Sequence, residues 1–361
     1  MVRVAIIGCG IVGGSIAFEL SNYPELKITV FDKQPPAQAS TGAALGVLMG
    51  VISHKTKGRN WQLRETSLQR YETLIPELEA MTGRKIPFNK QGILMLLSQG
   101  EDLSKWEKLK DTRSSQGWEL EIWDLERVRD RNPHLSLNDN IIGAIYSPRD
   151  RQVDPTTLTL ALVDAAKLKG VNFEFGLEVQ AITDLDSQVC QIQTSSSKLE
   201  FDWVIISAGL GSSALTASLN QLIDIRPVLG QALHFRLQNP LENYDFTPVI
   251  TCDDVHIVPL GDGEYWVGAT VEFSENGGEI QASADMLDGV MARAIDLCPT
   301  LATATIIKQW SGLRPRPERR SAPVIDRLSG NSNILIASGH YRNGVLLAPA
   351  TARTIREMIV Q

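Results

Sequence analysis

Residues 2–33, VRVAIIGCGIVGGSIAFELSNYPELKITVFDK, decide the fold. Val2, Val4, Ala5, Ile6 and Ile7 form a short apolar run suited to a strand buried on both faces. Gly8, Gly10 and Gly13 then give G-x-G-x-x-G, and Ser15 to Leu20 read as a helix. A second apolar run, KITVF, ends at Asp32, about 20 residues past the glycines. Strand before, helix after and an acid at that distance are the conditions under which this glycine pattern marks a dinucleotide-binding unit. Gly8 permits the tight turn, Gly10 removes a side chain where a pyrophosphate must approach, and Gly13 lets helix and strand pack closely. Amides at the helix start, Ile11 and Val12 among them, can donate to the phosphates with help from the helix dipole. Asp32 can accept both hydroxyls of a ribose, and Lys33 follows it as a further contact. The pattern does not choose between NAD and FAD.

The next loop, QASTGAALGVLMG (38–50), bears on that choice. A nicotinamide-dependent dehydrogenase would proceed here to its next strand and helix. Small residues such as Ser40, Thr41, Gly42, Ala43 and Ala44 instead let the backbone crowd a cofactor that extends beyond its pyrophosphate, as FAD does. An ordinary flexible loop is the competing reading.

Farther on, the nucleotide-binding pattern resumes. DPTTLTLALVDAAKLKG (154–170) has helical apolar spacing, with Asp154 before Pro155 as cap and Gly170 as stop. VNFEFGLEVQAI follows as alternating strand, and FDWVIISAG is another buried strand with Gly209 and Gly211 at its mouth. NILIASGHYRNGVLLAPATARTIREMIV closes as strand, glycine turn and helix. Three strand–glycine–helix passages predict one sheet visited repeatedly. Between the visits, GILMLL, ALHFRL, HIVPL and EYWVGATVEF alternate and are separated by turns such as GDG, which predicts a mixed or antiparallel sheet over the cofactor. The expected fold is mixed α/β. A discontinuous Rossmann-like nucleotide-binding domain (1–85, 147–225 and 306–361) carries an inserted substrate-binding domain (86–146 and 226–305).

Composition narrows the function classes. Of 361 residues, 43% are apolar and 21% charged, an ordinary globular profile whose length suggests two domains. A formal charge of −7 without a long basic stripe argues against a nucleic-acid surface. No apolar run approaches the ~20 residues of a spanning helix, and the early strand predicts that no signal or transit segment is present. Cys9, Cys190, Cys252 and Cys298 are scattered, as are His54, His134, His234, His256 and His340, so no metal site is expected. Unpaired thiols predict a reducing, cytoplasmic location. Against this acidic background WSGLRPRPERRSAPVIDR (310–327) gathers Arg314, Arg316, Arg319 and Arg320. Such a cluster is either a solvated loop or a site for a small anion.

Five segments, VAIIGCGIVGGSIAFEL, ASTGAALG, VIISAGLGSS, WSGLRPRPERRSAPVID and GHYRNGVLLAPATA, together resemble the D-amino-acid oxidase family, closest to its glycine oxidase branch associated with thiamine biosynthesis. The likeness runs nearly end to end. It implies non-covalently held FAD and oxidation of an amine next to a carboxylate. The imine formed would hydrolyse to an oxo acid and ammonia, with molecular oxygen as acceptor and hydrogen peroxide as by-product. The resemblance also implies that Arg314, in G-L-R-P, grips the substrate carboxylate. A planar guanidinium can do so with two parallel hydrogen bonds, and Pro315 would stiffen the turn that presents it. Gly312, Val179, Ala208 and Gly209 join the cofactor-binding candidates. Arg342 in GHYRNG, next to Tyr341 and bracketed by Gly339 and Gly344, is implied to lie near substrate and ring. Asn343, Gly344, Val345 and Leu346 would give amides to the flavin's pyrimidine end, with a helix from near Leu347 pointing its positive end there.

The chain departs from the pattern at DDVHIVPL, where His256 replaces a tyrosine. This imidazole either hydrogen-bonds the carboxylate or is a half-buried strand histidine. Ala44 stands where the glycine oxidase pattern has a bulkier methionine, leaving room for a side chain larger than glycine's. None of the cysteines falls where sarcosine oxidases anchor their flavin, so the cofactor should dissociate. Arg316, Arg319 and Arg320 are expected in a solvated or phosphate-facing loop. The main expectation is an oxidase of glycine, sarcosine or a small D-amino acid, working by hydride transfer from Cα to flavin N5. A flavin dehydrogenase serving a quinone or carrier, and an FAD-bound assembly protein without turnover, are the rivals. A homo-oligomer is compatible with each.

Overall fold

The central parallel strands are apolar along most of their length because both of their faces are covered. The computed structural model describes residues 1–185, 188–238, 245–274 and 279–360. Six strands lie in the order Val324–Arg327, Ile334–Ser338, Trp203–Ile206, Val2–Ile7, Leu26–Asp32 and Asn172–Phe175. All neighbours are parallel except the first pair. Val4, Ile6, Val30, Ile205 and Leu335 face a core shared with the helices Ile11–Leu20, Gly58–Thr82, Pro155–Leu168 and Gly344–Ile359. Alternate residues Ala5, Ile7, Phe31, Val204 and Ile336 face a small antiparallel sheet, Val179–Asp184, Cys190–Thr194 and Lys198–Phe201.

The three glycine-ended strands of the sequence are neighbours in this sheet, so their turns open along one edge. The mixed α/β, Rossmann-like architecture expected from the sequence is the one observed. VNFEFGLEVQAI divides at Gly176 and serves two sheets, Asn172–Phe175 in the parallel one and Val179–Asp184 in the small one. The last helix begins at Gly344 rather than near Leu347, because the turn Tyr341–Asn343 winds directly into it.

The second large sheet has eight strands, in the order Thr305–Pro317, Ile225–Arg236, Glu264–Gly268, Val255–Gly261, Val249–Cys252, Ile93–Ser98, Ile141–Ser147 and Glu121–Trp123. It is mixed, since Val249–Cys252 and Ile93–Ser98 run parallel while the other pairs are antiparallel. One face packs Leu94, Leu233, Phe235 and Val267 against helix Ala284–Leu297. The other face joins the helical core through Ile93, Ala232, Val249 and Val258. One sequence reading needs correcting here. Arg314 lies on no turn, because Thr305–Pro317 is a strand paired along its length with Ile225–Arg236. It is the edge strand, where Pro315 is tolerated. Residues 306–317, placed by the sequence in a nucleotide-binding segment, thus pair within the second sheet.

Candidate active site

The glycine turn is built on direct backbone contact. Gly8 has φ +103°, and a Cβ there would strike Ser207 O at 2.5 Å and Ala208 Cα at 2.9 Å. A Cβ on Gly13 would lie 1.9 Å from Gly8 O, so helix and strand touch through their main chains. Helix Ile11–Leu20 has Gly10 as N-cap and no capping side chain. Helix Gly344–Ile359, after Asn343, has none either. Asp102, Asp124, Asp154 and Ser283 cap four other helices, while Gly58–Thr82 and Ser212–Ala217 also lack a capping side chain. Helices Ile11–Leu20 and Gly344–Ile359 follow the strands Val2–Ile7 and Ile334–Ser338, which flank Trp203–Ile206 in the parallel sheet, and their first-turn amides suit phosphate or carbonyl oxygens. Asp32 accepts from Cys9 N at 2.6 Å and Gln34 N at 2.9 Å, which sets its carboxylate against the turn. Burial and Asp32 push the Cys9 thiol up to about 12, so no thiolate forms there. Lys33 points away, paired with Glu178 at 3.3 Å.

Residues 38–50 are packed in place and tie the glycine turn to the second sheet. Thr41 Oγ1 accepts from Ile11 N at 3.0 Å and lies 2.9 Å from where a Gly10 Cβ would stand. Ser40 donates to Leu313 O at 2.6 Å, and Ala43 O accepts from Trp310 Nε1 at 3.1 Å. A Cβ on Gly42 would strike Ala37 O at 2.3 Å, and one on Gly312 would strike Ala43 Cβ at 2.2 Å. The amides of Gly50, Val51 and Ile52 all donate to the buried Asp150 carboxylate, at 2.7, 2.8 and 2.9 Å.

Strand register shows which side chains face this loop. Trp310, Ala232, Gly268, His256 and Thr251 stand opposite one another on successive strands, so they share one face. Trp310 bonds Ala43, and a Cβ on Gly268 would reach Leu45 Cδ1 at 3.2 Å, so this face meets the loop. Gly312 and Arg314 follow Trp310 at the period of 2 and lie on that face too. The same face continues past Trp310 and Trp266 into an open cleft of about 1130 Å³ that also reaches Gly42 and Ala44.

Arg314 lies flat over Gly230, where a Cβ would come 2.2 Å from Nη2 and 2.4 Å from Cζ. Its Nη1 donates to Leu229 O at 3.0 Å and Thr270 O at 3.1 Å. Buried Glu272 holds those two acceptors in place. Its main chain exchanges hydrogen bonds with Leu229 at 2.9 and 3.0 Å. Its carboxylate accepts from Gln231 Nε2 at 2.9 Å, from Ser283 N at 2.8 Å and from the Thr270 hydroxyl. Burial, then the facing Arg342, lowers the pKa of Arg314. Among the described residues Arg314 forms no ion pair.

Arg342, in contrast, donates from Nη1 to Asp254 Oδ1 at 2.8 Å. Burial works against its charge most strongly, but Asp254 and Tyr341 together outweigh it and its pKa ends above the ordinary value. His256 is pushed down to about 4 by burial and then by Arg342, with Asp254 opposing, so it is neutral near pH 7. Its Nδ1 is buried with no hydrogen-bond partner among the described residues, as is Thr251 Oγ1 directly across the sheet. An unpaired guanidinium beside a neutral imidazole and orphaned polar atoms suits a small carboxylate carrying further hydrogen-bonding groups.

A family model described as FAD dependent oxidoreductase (DAO) matches residues 3–358. The chain belongs to this family. A bifunctional protein ThiO/ThiG of Synechocystis sp. is 31% identical over 360 residues, covering 99% of this chain and 51% of the relative. A glycine oxidase of Bacillus subtilis is 29% identical over 361 residues, covering 99% of this chain and 93% of that protein. The crystal structure of glycine oxidase from Geobacillus kaustophilus matches with a TM-score of 0.88 at 25% identity, over 99% and 95% of the two chains. The chain spans about half the length of the bifunctional relatives it matches. The glycine turn, Thr41 and the two uncapped helix ends fit the FAD of the family description.

Within this family member, the structure gathers most of the residues singled out by sequence. Gly8, Gly10, Gly13 and Thr41 meet at the first turn, and Ala208 packs on it. Arg314, Arg342 and His256 influence one another's charge. Val179 packs under the parallel sheet with Ile7 and Phe31. Arg319 and Arg320 are exposed, and Arg316 pairs with Glu318 at 3.6 Å. Sequence reasoning missed Gly230, Asp254 and Glu272. A lone glycine inside the apolar run VLGQAL was a usable signal of close approach. Asp254 and Glu272 had none, since their partners come from distant segments. Among the described residues no helix is long and apolar enough to cross a membrane, and no cluster of His, Cys, Asp and Glu suits a metal.

Proposed function

We propose that this chain is an FAD-dependent oxidase of a small amino acid or secondary amine, with glycine, sarcosine and small D-amino acids as the substrate class. The observation that carries the reading is Arg314: a guanidinium without a carboxylate partner, braced by two carbonyls, on the sheet face that meets residues 38–50. The glycine oxidases among the relatives supply the substrate class. Bound FAD would supply the oxidant, accepting a hydride at N5 from the substrate Cα, with molecular oxygen as final acceptor and hydrogen peroxide as product.

The protein's own part is positioning. Gly8, Gly10, Val12 and Gly13 would hold the pyrophosphate, Asp32 the ribose, and Gly344 to Leu346 the pyrimidine end of the ring, whereas the Ile11 amide is already taken by Thr41. Arg314 would hold the substrate carboxylate through paired hydrogen bonds, which fixes where Cα stands. Neutral His256 would add a hydrogen bond without adding charge. The nucleotide-binding part would comprise 1–85, 147–225 and 306–361, and the substrate part 86–146 and 226–305, with strand Thr305–Pro317 lending Arg314 to the boundary. Four buried cysteines, none of them in a disulfide, fit a cytoplasmic setting.

Anaerobic addition of glycine, sarcosine and small D-amino acids to the flavin-loaded protein tests this. At least one should bleach the flavin, and on admitting air peroxide should form. Arg314→Ala should lose about 2–5 kcal/mol of substrate binding, seen as a steep rise in KM. An unchanged KM would remove Arg314 from the site. Dye reduction without peroxide would replace oxygen by a quinone or carrier.

A further inference from the structure

The pocket around Arg314 contains two guanidinium groups of unequal freedom. Arg314 has no ion-pair partner among the described residues, whereas Arg342 is held by Asp254 at 2.8 Å. Asp254 precedes the strand that carries His256, and its carbonyl accepts from Ala269 N at 3.3 Å, so its backbone is fixed at the pocket. Its side chain is 59% exposed, so the carboxylate is held there by Arg342 and not by burial. Glu272 lies behind Arg314, with its oxygens taken by Gln231, Thr270 and Ser283. His256 adds no charge near neutral pH. Among the described residues the site therefore offers one guanidinium, Arg314, that no carboxylate pairs directly, with Glu272 acting on it only from behind.

We propose that Asp254 is a specificity-determining residue that restricts this pocket to monocarboxylic amines by occupying Arg342. The inference rests on the reading of Arg314 as the carboxylate clamp. A substrate with a second carboxylate would need Arg342 as its partner, and Asp254 already fills that place with a like charge. Entry of the diacid then requires breaking the Arg342–Asp254 pair or setting two carboxylates side by side. Both options are unfavourable at short range in a partly desolvated site. A neutral substrate side chain meets neither penalty. Selectivity arises from what Asp254 repels and not from a better fit for the monoacid.

The test compares flavin-loaded wild type with Asp254→Asn and Asp254→Ala. Acetate and malonate serve as unreactive probes of one and two carboxylates, followed by the flavin absorbance change and by calorimetry, with KM for glycine and iminodiacetate measured in parallel. Removing the charge should shift the malonate-to-acetate affinity ratio toward malonate by about tenfold. Adding Arg342→Ala to Asp254→Asn should cancel that shift, because the gain needs a free Arg342. Asparagine retains an oxygen acceptor for Arg342, and position 254 is exposed, so both single variants should melt with the wild type. An unchanged ratio with acetate binding intact overturns the role of Asp254 alone. Failure of wild type to bind either acid removes the carboxylate clamp, and this inference with it.

Discussion

Arg314 has a defined place only because position 230 has no side chain. The guanidinium rests where a Cβ would stand, and Leu229 and Thr270 accept its Nη1 hydrogens on either side. Gly230→Ala would put a methyl group 2.2 to 2.4 Å from three guanidinium atoms, so Arg314 must leave that position. The strand itself is regular there, so the expected stability loss is the usual overpacking cost of about 1–3 kcal/mol. KM for the amino acid should rise nearly as far as in Arg314→Ala, with FAD affinity unchanged. Steady-state kinetics together with a flavin titration checks this, and an unaltered KM would show that the guanidinium reaches its ligand from elsewhere.

Among the elements, helix ends and one loop do what isolated side chains cannot. The helices Ile11–Leu20 and Gly344–Ile359 begin without capping side chains after strands that flank Trp203–Ile206 on either side. Their amides therefore await oxygens from outside the chain. Thr41 takes one of them, the Ile11 amide, and so joins the 38–50 loop to the glycine turn. Gly10→Ala would bring a methyl group within 2.9 Å of Thr41 Oγ1, pressing apart the two segments that frame the phosphates. FAD affinity should fall by at least about tenfold, or 1.4 kcal/mol. Alanine is a poorer N-cap than glycine, so the apoprotein should also lose on the order of 1 kcal/mol of stability. Equilibrium titration of apoprotein with FAD measures the first effect and calorimetry the second.

For the whole molecule, the two large sheets share one helical core, and buried His340 and partly buried His256 make its stability depend on acid. His340 lies between strand Ile334–Ser338 and the last helix, its Nε2 2.9 Å from Thr351 Oγ1, and burial pushes it down to about 4. His256 is pushed down to about 4 as well. Unfolded, both rings take up a proton near pH 6.5. Their contribution is thus complete above about pH 6.5 and is lost as pH falls toward 4, because the unfolded chain gains protons that the folded chain refuses. For fully buried His340 the loss is on the order of 3 kcal/mol. Thermal midpoints from pH 7 to pH 4.5 should drop, and His340→Gln should flatten that drop. Parallel curves for the two proteins would contradict the assignment.

The sequence by itself determined the features whose causes lie within a few residues. Three glycines in one turn, an acid at the end of the next strand and Asp154 ahead of Pro155 each act locally, so their spacing sufficed. The motif around Arg314 was legible in the same way, but its conformation was not. Arg314, Pro315, Arg316 and Pro317 resemble a loop until a partner strand, Ile225–Arg236, is brought beside them. Only the tertiary structure decided which of the two arginines is free, since Asp254 lies 88 positions from Arg342 and Glu272 reaches Arg314 from another segment. Such pairs depend on distance in space, and spacing along the chain does not encode it.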